Sequence, residues 1–273
     1  MSSRTLQTFR VNRATSPPTT KLTLCVVGEF AVYRAGRALP AAEVGSRKAR
    51  TVLALAAVHY GYVPVDSIIT ALWGDAPPRH PGANIATLVS RLRSALGPDA
   101  IGGGRTGYRL GDHVRVDLID ATYLVSRAEA RIAAGQAAAA LTTATQAMAL
   151  LDNGAVLAER PDAPWAEPAR ALHGQLLRRA RHAVAESALR VDDIRTAQAT
   201  AEAAVAADPL DEAACRMVMR AHHAAGEPAR ALLAYQRLRT TLTRELGVDP
   251  AASTRDLHLA VLRDAHGTRA LST

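Results

Sequence analysis

Between Ser46 and Arg109 three amphipathic stretches are followed at once by a glycine-rich turn, an order that few small folds can use. The first stretch runs from Ser46 or Arg47 to His59, with Val52, Leu55, Ala56 and His59 at helical spacing and Gly61 ending it. Pro64 then breaks the chain. Asp66 is placed to cap a second helix, whose Ile68, Ile69, Leu72 and Trp73 form one apolar stripe. The third helix is expected over Ala83–Leu96, its Ile85, Leu88, Val89, Leu92 and Leu96 turned to a core by their i, i+3/i+4 spacing. That leaves Asn84, Thr87, Ser90, Arg91 and Ser94 on the opposite face, with Arg93 flanking it. Gly97-Pro98 stops the helix, and Gly102-Gly103-Gly104 leads into a tight hairpin through Arg105-Thr106-Gly107-Tyr108-Arg109. Upstream, Leu22, Leu24 and Val26, then Phe30 and Val32, alternate around Gly28-Glu29 as a short strand pair. Three helices closed by a β-hairpin predict a winged helix, which lays one helix in a DNA groove.

Charge is divided in the same way. Of the net +8 in 273 residues, the part from Met1 to Gly111 holds 14 Lys+Arg against 5 Asp+Glu, while the remainder holds 19 against 20. A basic head on a neutral body points to a polyanion, and with the helix pattern to nucleic acid. Nearly all the cations are arginine, Lys21 and Lys48 being the only lysines, which with the abundant alanine suggests a GC-rich bacterial genome.

Other classes find little support. Cys25 and Cys215 are far apart and form no disulfide framework or metal-ligand spacing, so a reducing cytoplasm and no metal or cofactor are expected. No apolar run reaches the roughly 20 residues of a membrane span. Residues 1–20 lack the apolar core of a secretory signal, and their Ser, Thr and Pro content reads as a disordered arm. His59, His80 and the pair His222-His223 lack carboxylate or cysteine neighbours at ligand spacing. Ser46, His59 and Asp66 have no nucleophile-elbow setting, so no enzyme is expected.

Beyond Asp117 the chain reads as helix throughout and contains an internal echo. Ala133-Ala134-Gly135-Gln136-Ala137 is matched by Ala224-Ala225-Gly226-Glu227-Pro228, and Asp193 and Glu227 lie 34 residues apart. That interval is the tetratricopeptide period of about 34 residues, so stacked helical hairpins are expected, with an irregular alanine-rich bundle as the alternative.

These residues together resemble a known family. Arg47-Lys48-Ala49-Arg50 before an aliphatic helix, Val65-Asp66 to Leu72-Trp73-Gly74-Asp75, and Val89-Ser90-Arg91-Leu92-Arg93 are similar to the Streptomyces antibiotic regulatory proteins. Gly107-Tyr108, Val116-Asp117, Trp165-Ala166, and the run from Asp208-Pro209-Leu210 through Tyr235, Arg239 and Glu245-Leu246-Gly247 to Pro250 continue the likeness over about Leu22 to Leu262. The resemblance implies a mostly α fold with a small β component. A disordered arm (1–20) would precede an OmpR-type winged helix (21–112). A tetratricopeptide-like bacterial transcriptional activation domain (113–265) and a tail (266–273) would follow. It further implies a transcriptional activator, specific for a secondary-metabolite or antibiotic cluster. Such a protein binds tandem direct repeats near the −35 region, with protomers side by side on double-stranded DNA, and recruits RNA polymerase holoenzyme in the cytoplasm at the nucleoid. Two departures are expected to matter. No glycine-rich loop ending in Gly-Lys-Ser/Thr occurs, which points to the small, nucleotide-independent type, and no receiver domain precedes the winged helix. The glycines at 102–104 also predict a looser wing than the proline-bearing form.

On this reading each cation has an assigned task. Arg91 is expected to read guanine by a bidentate contact to O6 and N7, with Thr87 and Asn84 reaching a thymine methyl or an adenine edge. Arg47, Lys48 and Arg50 at the start of the first helix, with Ser90 and Arg93, are expected on phosphates, which position without reading sequence. Arg105, Thr106 and Arg109 on the wing would enter or flank the minor groove. Tyr108 and Trp73 are expected to pack. The competing reading is a helical-repeat ligand sensor or scaffold whose winged helix makes only protein contacts.

Overall fold

The computed structural model describes residues 22–59 and 61–270. The arm expected over residues 1–20, with Lys21, Tyr60 and residues 271–273, lies outside the described residues. Among the described residues the chain is mostly helical, with its small sheets in the N-terminal part. Strands β1 (Leu22–Cys25), β2 (Ala31–Arg34) and β3 (Arg37–Ala38) precede helices α1 (Ala41–Val44) and α2 (Arg47–Val58). Strand β4 (Val63–Pro64), α3 (Val65–Trp73), α4 (Pro81–Leu96), β5 (Ile101–Gly104), β6 (Gly107–Leu110) and β7 (Val114–Val116) complete the head. Seven helices follow: α5 (Asp117–Ala133), α6 (Ala137–Leu151), α7 (Glu167–Arg190), α8 (Ile194–Ala207), α9 (Glu212–Ala224), α10 (Pro228–Leu246) and α11 (Ala252–Ala270).

Local signals explain most boundaries. Ser46 caps α2, its Oγ accepting from the Ala49 amide at 3.3 Å. Helix α4 opens two residues earlier than its periodicity suggests because Pro81 supplies a pre-set φ at the first position. Asp66 is not the cap of α3, as expected above. Val63 and Pro64 pair with Tyr108 and Gly107, so the helix starts directly off that strand at Val65 and Asp66 falls inside its first turn. The short helix α1 was not signalled by periodicity, since four residues are too few to show one.

Two small sheets frame the head. One has the order β3-β2-β1-β7, with β1 antiparallel to β2 and parallel to β7 (Leu24 opposite Val32 on one side and Val116 on the other). The second, β4-β6-β5, carries the hairpin. The expected division between residues 112 and 113 falls in the turn before β7, yet β7 belongs to the head's sheet and runs without a break into α5.

One core spans both halves, joining Leu24, Leu53, Ile85 and Leu92 of the head to Leu118, Leu151 and Leu176 of the helices. A buried carboxylate fastens the junction. Asp117, the first residue of α5, accepts from the amides of Val26 (2.9 and 3.0 Å), Val27 (3.0 Å) and Leu118 (2.8 Å). Burial pushes its pKa above the ordinary carboxylate value against the opposing pull of those three amides. The chain between α6 and α7 also returns to the head: Leu157 donates to the Val26 carbonyl at 2.8 Å and Gly28 to Ala155 at 3.0 Å. Gly28 is required there, since at φ +83° a Cβ would stand 2.6 Å from the Asn153 carbonyl oxygen.

The helical half is a chain of hairpins in which each helix from α5 to α11 packs on the next. The echo seen in the sequence is a repeated turn. Gln136, Asp193 and Glu227 each precede a helix and donate to the carbonyl five residues back (Arg131, Ala188 and His222) at 2.9, 2.9 and 2.8 Å. The residue before each, Gly135, Asp192 or Gly226, takes the left-handed conformation at φ +73°, +62° or +73°. Small residues on the facing sides (Ala128, Ala144, Ala188, Ala197, Ala221) let neighbouring helices approach closely. Helix α11 continues to Ala270, into the stretch expected as a tail.

Candidate nucleic-acid interface

Helix α4 turns Ile85, Val89, Leu92 and Leu96 inward, with Leu88 half-buried, and rests on α2, α3 and β5. Its outward side carries Asn84, Thr87, Ser90, Arg91 and Ser94, all exposed. The helix contains no Asp or Glu, and among the described residues no carboxylate pairs with Arg91. Two hydroxyls are partly spent on the helix itself, Thr87 donating to the Ala83 carbonyl at 3.0 Å and Ser94 to Ser90 at 3.1 Å. Their oxygens still offer acceptor lone pairs, and among the described residues no partner takes up the side-chain donors of Arg91 and Asn84.

Arg93 is placed differently from the sequence expectation. Its Nε donates to the Ile101 carbonyl at 2.8 Å and one terminal nitrogen donates to Gly103 at 3.0 Å. The guanidinium fork therefore spans from α4 to the first strand of the wing and fixes one against the other, instead of standing free for a phosphate. Arg34 of β2 acts similarly at the far end of the helix, donating to the Ala95 carbonyl at 2.5 Å, where a cation also suits the helix C-terminus.

The wing is a two-residue hairpin with Arg105 and Thr106 exposed at its tip. Two of its glycines, Gly103 and Gly107, are close-packing requirements, whereas Gly102 and Gly104 have room for a side chain. A Cβ on Gly103, which sits at φ +103°, would come within 2.3 Å of the Gly107 carbonyl oxygen, and one on Gly107 within 2.3 Å of that of Val63. Thr106 is engaged on both sides, its carbonyl accepting from Val65 at 3.2 Å and its hydroxyl bonding to the Tyr62 hydroxyl. Tyr108 is buried beneath the hairpin. Arg109 is exposed but paired with Asp112 at 2.7 Å, which offsets its charge, so Arg105 is the freer cation of the wing.

At the start of α2 the three expected cations divide. Arg47 is exposed. Lys48 is exposed with its ammonium 4.8 Å from the Trp73 ring centroid, a cation–π contact over a half-buried indole. Arg50 is held inward, donating to the carbonyls of Gly45 at 2.8 Å and Ala41 at 3.2 Å, so it ties α1 to α2. A fourth cation joins them from the helical half. Arg160 donates to Thr51 Oγ1 at 2.9 Å, and burial lowers its pKa, with the charges of Arg47 and Arg50 adding to the effect and Glu159 opposing it. No local pattern marks Arg160, because its partner is 109 residues away. The contacts thus sort the expected residues into two groups, α4 with the wing and the α2 start with Arg160.

No group of three or more His, Cys, Asp or Glu side chains is arranged to hold a metal among the described residues. Nor, among them, is any helix long and apolar enough to cross a membrane.

Known proteins resemble this chain over most of its length. Residues 116–262 match the bacterial transcriptional activator domain. The regulatory protein AfsR of Streptomyces coelicolor is 32% identical over 245 residues, covering 87% of this chain and 24% of AfsR. The chain thus spans about a quarter of the length of that relative. The regulatory protein DnrI of Streptomyces peucetius is 29% identical over 237 residues, covering 80% of this chain and 85% of DnrI. A solved structure of Mycobacterium tuberculosis EmbR, in complex with a low-affinity phosphopeptide, superimposes with a TM-score of 0.79 at 28% identity, covering 90% of this chain and 66% of that one. The chain belongs to the bacterial transcriptional activator domain family and is of the Streptomyces antibiotic regulatory protein type.

Proposed function

We propose that this protein is a sequence-specific DNA-binding activator that lays α4 in the major groove and its wing along the neighbouring minor groove. The observation that carries this reading is the acid-free outer face of α4, where Arg91, Asn84 and Thr87 stand exposed on a helix that Arg93 braces to the wing. Arg91 supplies the guanine contact, Asn84 and Thr87 the neighbouring bases. Arg47, Lys48 and Ser90 meet phosphates, while Arg50 and Arg93 hold the elements that carry them. Arg105 leads the wing into the minor groove, with Thr106 and Arg109 behind it.

The division of labour follows the residue numbers, with reading and anchoring before about residue 112 and polymerase contact by the helical array after it. Protomers bind tandem direct repeats near the −35 region side by side, one helical turn of about 10–10.5 base pairs apart. Membership of the Streptomyces antibiotic regulatory protein type supports control of a secondary-metabolite cluster, by a protein of the cytoplasm working at the nucleoid and recruiting RNA polymerase. The test is a footprint of the full chain on its own upstream region with and without polymerase, alongside Arg91→Ala. That variant should lose discrimination at one base position, worth about 1–3 kcal/mol. Equal loss on operator and unrelated DNA would contradict base reading by Arg91.

A further inference from the structure

The helical half holds a cavity of about 680 Å³ between α8, α9 and α10, none of whose lining residues comes from the head. Its size falls within the roughly 300–1,000 Å³ of small-molecule sites. Val205, Cys215, Val218, Ala234 and Leu238 give it an apolar floor, and Leu233 stands at the lip with 49% of its surface exposed. Cys215 belongs to that floor as a neutral thiol, since burial pushes its pKa up to about 12.

The charged groups around the floor are unequally occupied. His222 is buried between two carboxylates, its Nε2 3.3 Å from Glu202 and its Nδ1 2.9 Å from Glu227. Glu227 also pairs with Arg230 at 3.2 Å. These four side chains are paired among themselves, and Gln198 Nε2 also lies 3.2 Å from His222 Nδ1. Arg237, two helical turns beyond Arg230 on α10, also lines the cavity, and among the described residues no carboxylate pairs with it. An open guanidinium beside an apolar hollow selects an anionic group on an apolar body.

We propose that this cavity binds a small organic acid, its apolar body on Val205, Val218 and Leu238 and its carboxylate or sulfonate on Arg237. The experiment uses the full chain and 8-anilinonaphthalene-1-sulfonate, an aromatic anion whose fluorescence rises on burial. Dodecanoate and 1-naphthoate serve as competitors, to separate linear from fused-ring bodies. Saturable one-site binding is expected, displaced by at least one competitor. Arg237→Gln should weaken it about tenfold, the loss of one charge-assisted contact. Val218→Trp, which fills the floor, should abolish it. Arg239→Gln should leave it unchanged, because Arg239 faces Asp249 at 3.5 Å and does not line the cavity. Arg237 is exposed, so its substitution leaves the core intact, as circular dichroism would verify. Absence of saturable binding, displacement by neither acid, or wild-type affinity in folded Arg237→Gln would overturn the proposal.

Discussion

Arg93 offers the sharpest separation between two jobs that one arginine beside a DNA-reading helix can do. A phosphate ligand contributes charge, whereas a brace contributes geometry. Its two bonds, at 2.8 Å to Ile101 and 3.0 Å to Gly103, leave from one half-buried side chain and end on alternate residues of the wing strand. With partial exposure, the pair is worth about 1–2 kcal/mol net, and removing it lets the wing move relative to α4 before DNA arrives. The order must then be restored on binding, so Arg93→Ala should weaken operator affinity by about 5- to 30-fold. Fluorescence anisotropy across a salt series is the assay. A lost brace lowers log K equally at every salt concentration. A lost phosphate contact flattens the slope of log K against log salt by about 0.9. Arg93→Lys sharpens the contrast, because lysine keeps the charge but cannot present the two-pronged fork. It should bind as weakly as the alanine variant. If Arg93→Lys binds like wild type while the alanine variant loses about 0.9 of slope, Arg93 is a phosphate ligand and the bracing argument fails.

Three further outcomes follow from the geometry. Gly103→Ala should disorder the hairpin and cost 1 kcal/mol or more, about the cost of a forced φ > 0 and a Cβ 2.3 Å from a carbonyl oxygen, visible as a lower urea midpoint and weaker duplex binding. Lys48→Ala should weaken all duplexes alike and flatten the salt slope by about 0.9; an unchanged slope would assign Lys48 to Trp73 alone. Asp117→Asn should destabilise the protein by about 1–3 kcal/mol, because an amide nitrogen must then face at least one of the buried backbone donors. Its pKa is raised on folding, so the native state holds the proton more tightly than the unfolded chain. The wild-type contribution from Asp117 is therefore largest in acid and declines as pH rises from the ordinary carboxylate range through the folded value. Urea midpoints of the two proteins from pH 4 to 7 should converge correspondingly.

Short-range signals made much of this fold legible. The apolar periodicity of α2, α3 and α4, the stop at Gly97-Pro98 and the repeated Ala-Gly turns are all local, and each marks its element to within a few residues. Site roles were less legible because their determinants are distant in the chain. Arg93 reads as a surface cation in sequence, but the fold brings the carbonyls of Ile101 and Gly103 beside it. Arg50 reads as a phosphate ligand in sequence but bends back to Gly45 and Ala41. The glycines at 102–104 suggested slack, whereas at Gly103 the neighbouring strand backbone leaves no room for a side chain. Asp117 carries no sign in sequence that its acceptors serve amides some 90 residues earlier.

The strand shared between halves and the carboxylate beneath it have a mechanical consequence. A head severed after residue 112 would forfeit β7 and strand the amides of Val26 and Val27, so the two parts do not swivel as beads on a string. If α4 seats in a promoter as proposed, the azimuth of the helical array about the duplex is then dictated by how it does so. Inserting about five base pairs, half a helical turn, between operator and −35 region would carry the array to the opposite side of the duplex, and the tether has no slack to swing it back.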